Sequence, residues 1–207
     1  MQDKSWLSRT NALIGEDKLD RLINSHVLVV GLGGVGSYAA EFIARAGIGT
    51  MTIVDGDVVD PSNRNRQLPA LFSTHGISKA DWMAARLKDI NPELKLNVVK
   101  EFLTPEKAFE IVNQHEYDYI IDAIDSITPK LNLLIAAYQS KKKIIMSGGA
   151  GGKLDPTQLK VADLSKTYNC VFVKMIRKRL KKHKIYKGIK VAFSAELPDR
   201  NSLILTD

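Results

Sequence analysis

With 207 residues, 44% of them apolar and 26% charged, the chain can build one domain with a closed core, which excludes a disordered polymer. No apolar stretch approaches the roughly 20 residues of a membrane helix, and Met1-Gln2-Asp3-Lys4-Ser5-Trp6 lacks a secretory pattern, so the reading is a cytoplasmic protein without a membrane partner. Cys170 is the sole cysteine, which rules out an internal disulfide or a zinc site of cysteine pairs and leaves it as a small, half-buried apolar residue. The net charge is +7, but Lys174 to Lys190 holds nine Lys and Arg and no acid, leaving −2 for the rest of the chain.

In chain order, strand-like apolar runs occur at Val27 to Val30, Met51 to Val54, Leu96 to Val99, Tyr119 to Ile121 and Ile144 to Met146, with segments of helical composition between them. This alternation predicts an α/β fold, a Rossmann-like, mainly parallel sheet with helices on both faces. Ser37 to Ala46 places Tyr38, Phe42 and Ala46 at helical spacing, and Ser78 with Asp81 reads as a capping box opening a helix over Lys79 to Ile90, stopped by Asn91-Pro92. After Met146 the texture changes at the loop Ser147 to Gly152, and a second layer or subdomain is expected. Its elements are a strand over Leu159 to Ala162, a helix over Val171 to Lys184 striped by Phe172, Val173, Ile176 and Leu180, and strands over Ile189 to Phe193 and Ser202 to Leu205. The expected organisation is a nucleotide-binding part over residues 1–146 and a smaller, mixed, substrate-binding extension over 147–207 within a single adenylating domain. Because Asp207 directly follows a strand-like segment, a further C-terminal piece is expected.

The chemistry begins at Gly31-Leu32-Gly33-Gly34-Val35-Gly36, between a strand and a helix, where backbone amides and the positive helix end can approach a phosphate unobstructed by side chains. Tight strand-to-helix packing without a ligand explains the glycines equally. Asp55, at the end of the next strand, stands where an acid accepts hydrogen bonds from a ribose, which fits NAD as well as ATP. Asp57 and the dense donor set Asn63-Arg64-Asn65-Arg66-Gln67 favour a triphosphate. Lys79 sits in the first turn of its helix, where the macrodipole disfavours a cation by about 0.3–1 kcal/mol unless an anion binds there; the other reading is a solvated surface lysine. Asp122 and Asp125 follow a strand at its carboxyl end, where ligands of open α/β sheets bind, and either could hold Mg²⁺ through one carboxylate. Asp122 reads equally as a turn or cap residue, and Asp125 is the better metal ligand. His26, His75, His115 and His183 lie outside this constellation.

The glycine loop, Asp55-x-Asp57, Asn63-x-x-Arg66-Gln67, Lys79 and Asp125 together resemble the adenylating enzymes related to ubiquitin-activating enzymes and to the bacterial molybdopterin and thiamine adenylyltransferases. The resemblance implies that Asp55 binds ribose, that Asn63, Arg66, Gln67 and Lys79 bind the phosphates of ATP, and that Asp125 binds its Mg²⁺. Arg66, Lys79 and Asp125 are then the catalytic set. It also implies a homodimer in which an N-terminal arginine, here Arg9, reaches the partner's site, and sulfur-transfer proteins as partners. Branches that activate ubiquitin-like sulfur carriers commonly carry two Cys-x-x-Cys pairs, absent here. Ser147 to Gln158, Asp163-Leu164-Ser165-Lys166-Thr167 and Arg177-Lys178-Arg179-Leu180 are instead similar to the tRNA threonylcarbamoyladenosine dehydratases. That similarity implies adenylation of the modification's threonine carboxylate, then ring closure with net loss of water. Lys174, Arg177, Lys178, Arg179, Lys181, Lys182 and Lys184 are the candidate tRNA contacts. The alternatives are an adenylyltransferase acting on a small protein carrier and a non-catalytic nucleotide- or tRNA-binding protein.

Overall fold

The structure, a computed structural model, describes residues 4–197; the expected strand over Ser202 to Leu205 lies outside them. Seven strands form one sheet: β1 (His26–Val30), β2 (Thr50–Val54), β3 (Lys95–Val99), β4 (Tyr119–Asp122), β5 (Ile144–Ser147), β6 (Leu159–Asp163) and β7 (Lys190–Ser194), in the order β3-β2-β1-β4-β5-β7-β6. All neighbours pair in parallel except β6, which runs antiparallel to β7 at the edge. The five strands expected before residue 147 are present to within one residue at each end. The β-branched and aliphatic runs of β1 and β2 suit strands covered on both faces, whereas β3, at the edge, is largely exposed.

Helices α3 (Gly36–Arg45) and α4 (Lys79–Ile90) cover one face, where Ala40, Ala44, Met83 and Leu87 pack on Val27, Val29, Met51 and Ile53. Helices α5 (Pro105–Gln114), α6 (Ile127–Gln139) and α7 (Val171–Leu180) cover the other, against Leu28, Val30, Ile120 and Met146. Two short N-terminal helices, α1 (Ser8–Ile14) and α2 (Glu16–Ile23), precede the sheet. Among the described residues no helix is long and apolar enough to cross a membrane.

Several expectations change. Residues 147–197 are no separate layer: β6 and β7 extend the same sheet, and Val173, Ile176 and Val191 share one core with Leu28 and Ile120. On α3, Tyr38 and Phe42 are 42% and 68% exposed, so they do not form the inner stripe. The inner face is Ala40, Ala44 and Glu41, whose carboxylate is gripped by Arg86 of α4 at 2.5 Å and Arg45 at 2.9 Å; small residues there let α3 approach the sheet closely. Ser78 does cap α4 by accepting from the Asp81 amide at 3.3 Å, but Asp81 turns away to Lys100 and the box is not reciprocated. Helix α7 stops at Leu180, followed by a one-turn 3-10 helix at Lys181–His183 that ends with Lys184 in a left-handed conformation. Cys170 is buried rather than half-buried.

Candidate active site

The strand order reverses between β1 and β4, and the crevice opens where it does, at the carboxyl ends of the strands. It is an open crevice lined by residues of the turn after β1, the loop after β2 and the loop after β4. Its floor is the glycine turn after β1. Gly31 has φ +87°, and a Cβ there would lie 2.9 Å from the Ala123 carbonyl oxygen of the loop after β4. A Cβ on Gly36 would lie 1.7 Å from the Gly31 oxygen. These two glycines therefore serve chain packing. Gly33 lines the cleft, whereas Gly34 lies beneath Arg66, whose carbonyl oxygen would be 3.3 Å from an added Cβ.

Asp55, at the end of β2, ties the turn down. Its Oδ2 accepts from the Leu32 amide at 2.6 Å and its Oδ1 from the Asp57 amide at 2.8 Å. Burial raises its pKa, opposed by those two amides and by the positive charge of Lys79. The carboxylate lines the cleft.

Lys79 is 5% exposed, which removes the solvated-lysine reading. Its Nζ lies 3.0 Å from Asp57 Oδ2, and both residues line the cleft. An anionic ligand reaching Lys79 competes with Asp57 for the same ammonium. Gln67 is 9% exposed, also lines the cleft, and has a buried Oε1 that accepts no hydrogen bond. The part of its side chain nearest Gly33 is the amide nitrogen, a donor, 3.6 Å from where a Cβ would stand.

Two members of the donor set fold the loop instead of facing the cleft. Asn63 closes a capping box with Asp60 around the 3-10 turn Pro61–Asn63, accepting from the Asp60 amide at 3.3 Å. Arg66 is exposed and donates through one guanidinium nitrogen to Ser62 O at 3.0 Å and Asn65 Oδ1 at 2.9 Å. Its other guanidinium nitrogens make no hydrogen bond among the described residues.

The two carboxylates after β4 separate completely. Asp125 lines the cleft, is exposed and has no hydrogen-bond or ion-pair partner among the described residues. Asp122 is fully buried, does not line the cleft and pairs with the equally buried Lys130 at 3.0 Å. Its Oδ1 accepts from the Ile124 amide at 3.0 Å, while Lys130 Nζ donates to the Ile124 carbonyl at 2.8 Å and sits 5.6 Å from the Phe172 ring centroid. Burial drives the Asp122 pKa up, with Lys130 opposing. Asp122 is therefore the brace of the loop that presents Asp125, and the expectation that it contacts nucleotide or metal is corrected.

No group of three or more metal-ligating side chains occurs among the described residues. One free carboxylate is nonetheless a fitting donor set for Mg²⁺, which usually takes one or two carboxylates, with phosphate oxygens and waters supplying the rest.

Sequence reasoning missed the third wall, Glu101, Phe102 and Leu103, just beyond β3. Gly56 admits this loop: a Cβ there would lie 2.9 Å from Glu101 C and Phe102 N. Phe102 is 68% exposed at the cleft rim. Its signal was positional, a segment leaving the carboxyl end of a parallel strand next to β2.

Outside the cleft, Arg9 is exposed on α1. Of the basic set, Lys174, Lys178, Arg179, Lys181, Lys182 and Lys184 are exposed and make no ion pair among the described residues. Arg177 is half-buried and donates to Thr167 O at 2.7 Å and Thr167 Oγ1 at 3.2 Å, so it holds a turn rather than facing solvent with the others.

The ThiF family profile matches residues 7–195 of the chain. The chain belongs to the ThiF family. Within it, the chain is 46% identical over 191 residues to the tRNA threonylcarbamoyladenosine dehydratase of Bacillus subtilis, covering 92% of this chain and 75% of that protein. It is 44% identical over 180 residues to the Escherichia coli protein of the same name, covering 86% and 67%. The crystal structure of the E. coli dehydratase in complex with ATP superposes with a TM-score of 0.90 at 40% identity, over 96% of this chain and 84% of that one. A second crystal structure of that enzyme, in complex with AMP, superposes equally well at the same identity. The seven-stranded sheet of this chain is thus a ThiF-family fold.

Proposed function

We propose that this chain catalyses the ATP-dependent dehydration of N6-threonylcarbamoyladenosine in tRNA through adenylation of its threonine carboxylate. One observation carries the reading: an open cleft at the β1/β4 switch point, in a chain that superposes along nearly its whole length on a dehydratase solved with ATP and with AMP.

In this reading the Gly31–Gly36 turn and the start of α3 receive phosphate, Asp55 takes the ribose hydroxyls, and the exposed ring of Phe102 lies against the adenine. Gln67, through its amide nitrogen, and Lys79 contact the phosphates directly, and Arg66 joins them through the guanidinium nitrogens not engaged with Ser62 and Asn65. Asn63 acts indirectly, by folding the loop that carries Arg66 and Gln67. Mg²⁺ bound to Asp125 would neutralise phosphate charge. The threonine carboxylate attacks the α-phosphorus and pyrophosphate leaves. An atom of the ureido group of the same modification then attacks the acyl carbon, closing a five-membered ring and releasing AMP with the former carboxylate oxygen. No protein nucleophile is required, consistent with the buried Cys170. The protein supplies positioning and charge, effects that account for large rate factors in pre-organised sites. We place the enzyme in the cytoplasm as a homodimer, with Arg9 directed to the partner's cleft and sulfur-transfer proteins as possible associates.

The test is ATP–pyrophosphate exchange with tRNA carrying the modification, with the same tRNA lacking it, and with a small carrier protein ending in Gly-Gly. Exchange stimulated only by the modified tRNA is the expected result. Stimulation by the carrier tail instead would assign the chain to the sulfur-carrier branch, and no exchange with any substrate would leave a nucleotide- or tRNA-binding protein.

A further inference from the structure

The basic segment does not lie beside the cleft. Helix α7 begins next to Gly149, at the carboxyl end of β5, where a Cβ on Gly149 would lie 3.0 Å from Phe172 Cβ. It runs toward the other end of the sheet, so that Ile185 to Ile189 lead into the amino end of β7 at Lys190. Helix α6 also ends there: Lys141, Lys142 and Lys143 line one depression together with Gly188 and Ile189. Lys143 and Lys190, at the starts of two adjacent parallel strands, thus join Lys141, Lys184 and Lys187 in one basic rim. Strands of four and five residues, about 13–17 Å long at roughly 3.3 Å per residue, separate this rim from the cleft.

Two observations set the rim apart from an ordinary solvated surface. First, none of its ammonium groups makes an ion pair among the described residues, although the adjacent Lys142 does. The acids nearby are already engaged: Glu116 holds Lys142, and Asp163 accepts from Ser165 and from the Gly188 amide. Second, among the described residues three non-glycine positions have a left-handed backbone, and two of them are Lys141 (φ 54°) and Lys184 (φ 60°), each just past a helical segment. Glycine fits such positions without strain. Lysine there keeps a cation at a conformational cost, although it also complements the helix's negative end.

We infer that the rim formed by Lys141, Lys143, Lys184, Lys187 and Lys190 binds the phosphate backbone of the tRNA body, away from the nucleotide undergoing reaction. This rests on the proposed tRNA substrate and deepens it. Unpaired cations spread over a surface with the exposed rings of Tyr138 and Tyr186 suit RNA, which is recognised largely through phosphates and shape. The cleft then handles the modified nucleotide while the opposite end of the sheet holds a separate part of the same molecule.

The test compares the full chain with a variant carrying Lys141→Gly, Lys143→Ser, Lys184→Gly and Lys187→Ser. Binding is titrated over a salt series with unmodified full-length tRNA and with its isolated anticodon stem-loop. The two glycine substitutions sit where left-handed backbone favours glycine, so the variant is expected to melt close to wild type. Expected is at least about tenfold weaker binding of full-length tRNA and a salt slope reduced in magnitude by about 3, at about 0.7–0.9 per phosphate contact. Stem-loop binding is expected to stay within about twofold. Equal loss for both RNAs would place the rim on the anticodon arm and overturn the inference, as would unchanged binding of both. A variant that melts well below wild type yet binds both RNAs normally would assign the lysines to helix capping. Rim-dependent binding to phosphatidylglycerol vesicles, with tRNA binding unaffected, would assign it to a membrane surface. Because unmodified RNA is used, failure of the exchange assay with rim-dependent tRNA binding intact would refute the reaction and leave the rim standing.

Discussion

Replacing Lys130 with methionine removes an ammonium that is fully buried between Asp122, the Ile124 carbonyl and the Phe172 ring, while keeping most of the side chain's volume. Asp122 is left fully buried with its Oδ1 still satisfied by the Ile124 amide and its Oδ2 without a cation. Breaking one partner out of a buried pair costs about 3–5 kcal/mol, a large share of the ~5–15 kcal/mol that stabilises a domain. Urea unfolding at neutral pH should therefore show a loss of that size. Adding Asp122→Asn keeps an acceptor for Ile124 and removes the stranded charge, so the double variant should recover to within about 1–2 kcal/mol of wild type. The pH dependence has a definite sign. Burial raises the Asp122 pKa in the folded state, and losing Lys130 removes the main opposing effect. A group whose folded pKa is raised favours the fold below its unfolded pKa and loses that contribution as pH rises through the folded pKa. The deficit of Lys130→Met should accordingly shrink as pH falls and widen as it rises. A loss under about 1 kcal/mol, or a double variant less stable than the single, would refute the view that this pair braces the loop.

Asp125→Ala should abolish product formation while tRNA affinity stays within about twofold in a filter-binding assay; equal loss of both would mean that the carboxylate contacts RNA. Lys79→Met should lower kcat by roughly 10²–10³, the range for removing one pre-organised charge-stabilising donor, in steady-state kinetics with modified tRNA. Gly36→Ala places a Cβ 1.7 Å from the Gly31 oxygen and should prevent native folding or abolish nucleotide binding, read by thermal melting with and without ATP. Arg177→Ala should lower the melting temperature by freeing the Thr167 turn, yet leave the salt slope of tRNA binding unchanged.

Sequence patterning revealed the strands closely because a parallel sheet buried on both faces demands apolar runs, and those runs stand out against the charged segments between them. The glycine turn, Asp55 and Asp125 were legible because backbone approach and strand-end position restrict which residues can stand there. Lys79 was half-legible: its place in the first turn pointed to an anion, but its pairing with Asp57 depends on how β2 and α4 dock. The α3 stripe misled because Tyr38 and Phe42 repeat at helical spacing on the outer face, while the inner face uses alanines and a paired Glu41. Asp122 and Asp125 share a strand-end position, and the sequence favoured Asp125 as the metal ligand without placing Asp122 in the core. The distinction lay in the pleat, which turns Asp122 to the same side as buried Ile120, and in Lys130, the one charged residue of α6. The rim of lysines needed the topology, since Lys141 and Lys143 are far in sequence from Lys184 to Lys190 and meet only because β5 and β7 are neighbours.

The most direct test of the account follows the carboxylate oxygen. Modified tRNA whose threonine carboxylate carries heavy oxygen is incubated with the chain, ATP and Mg²⁺, and the nucleotide and nucleoside products are weighed. The account predicts a nucleoside lighter by one water and one heavy oxygen in the released AMP. An unchanged nucleoside mass, or label appearing in inorganic phosphate alongside ADP, would contradict adenylation as the activating step.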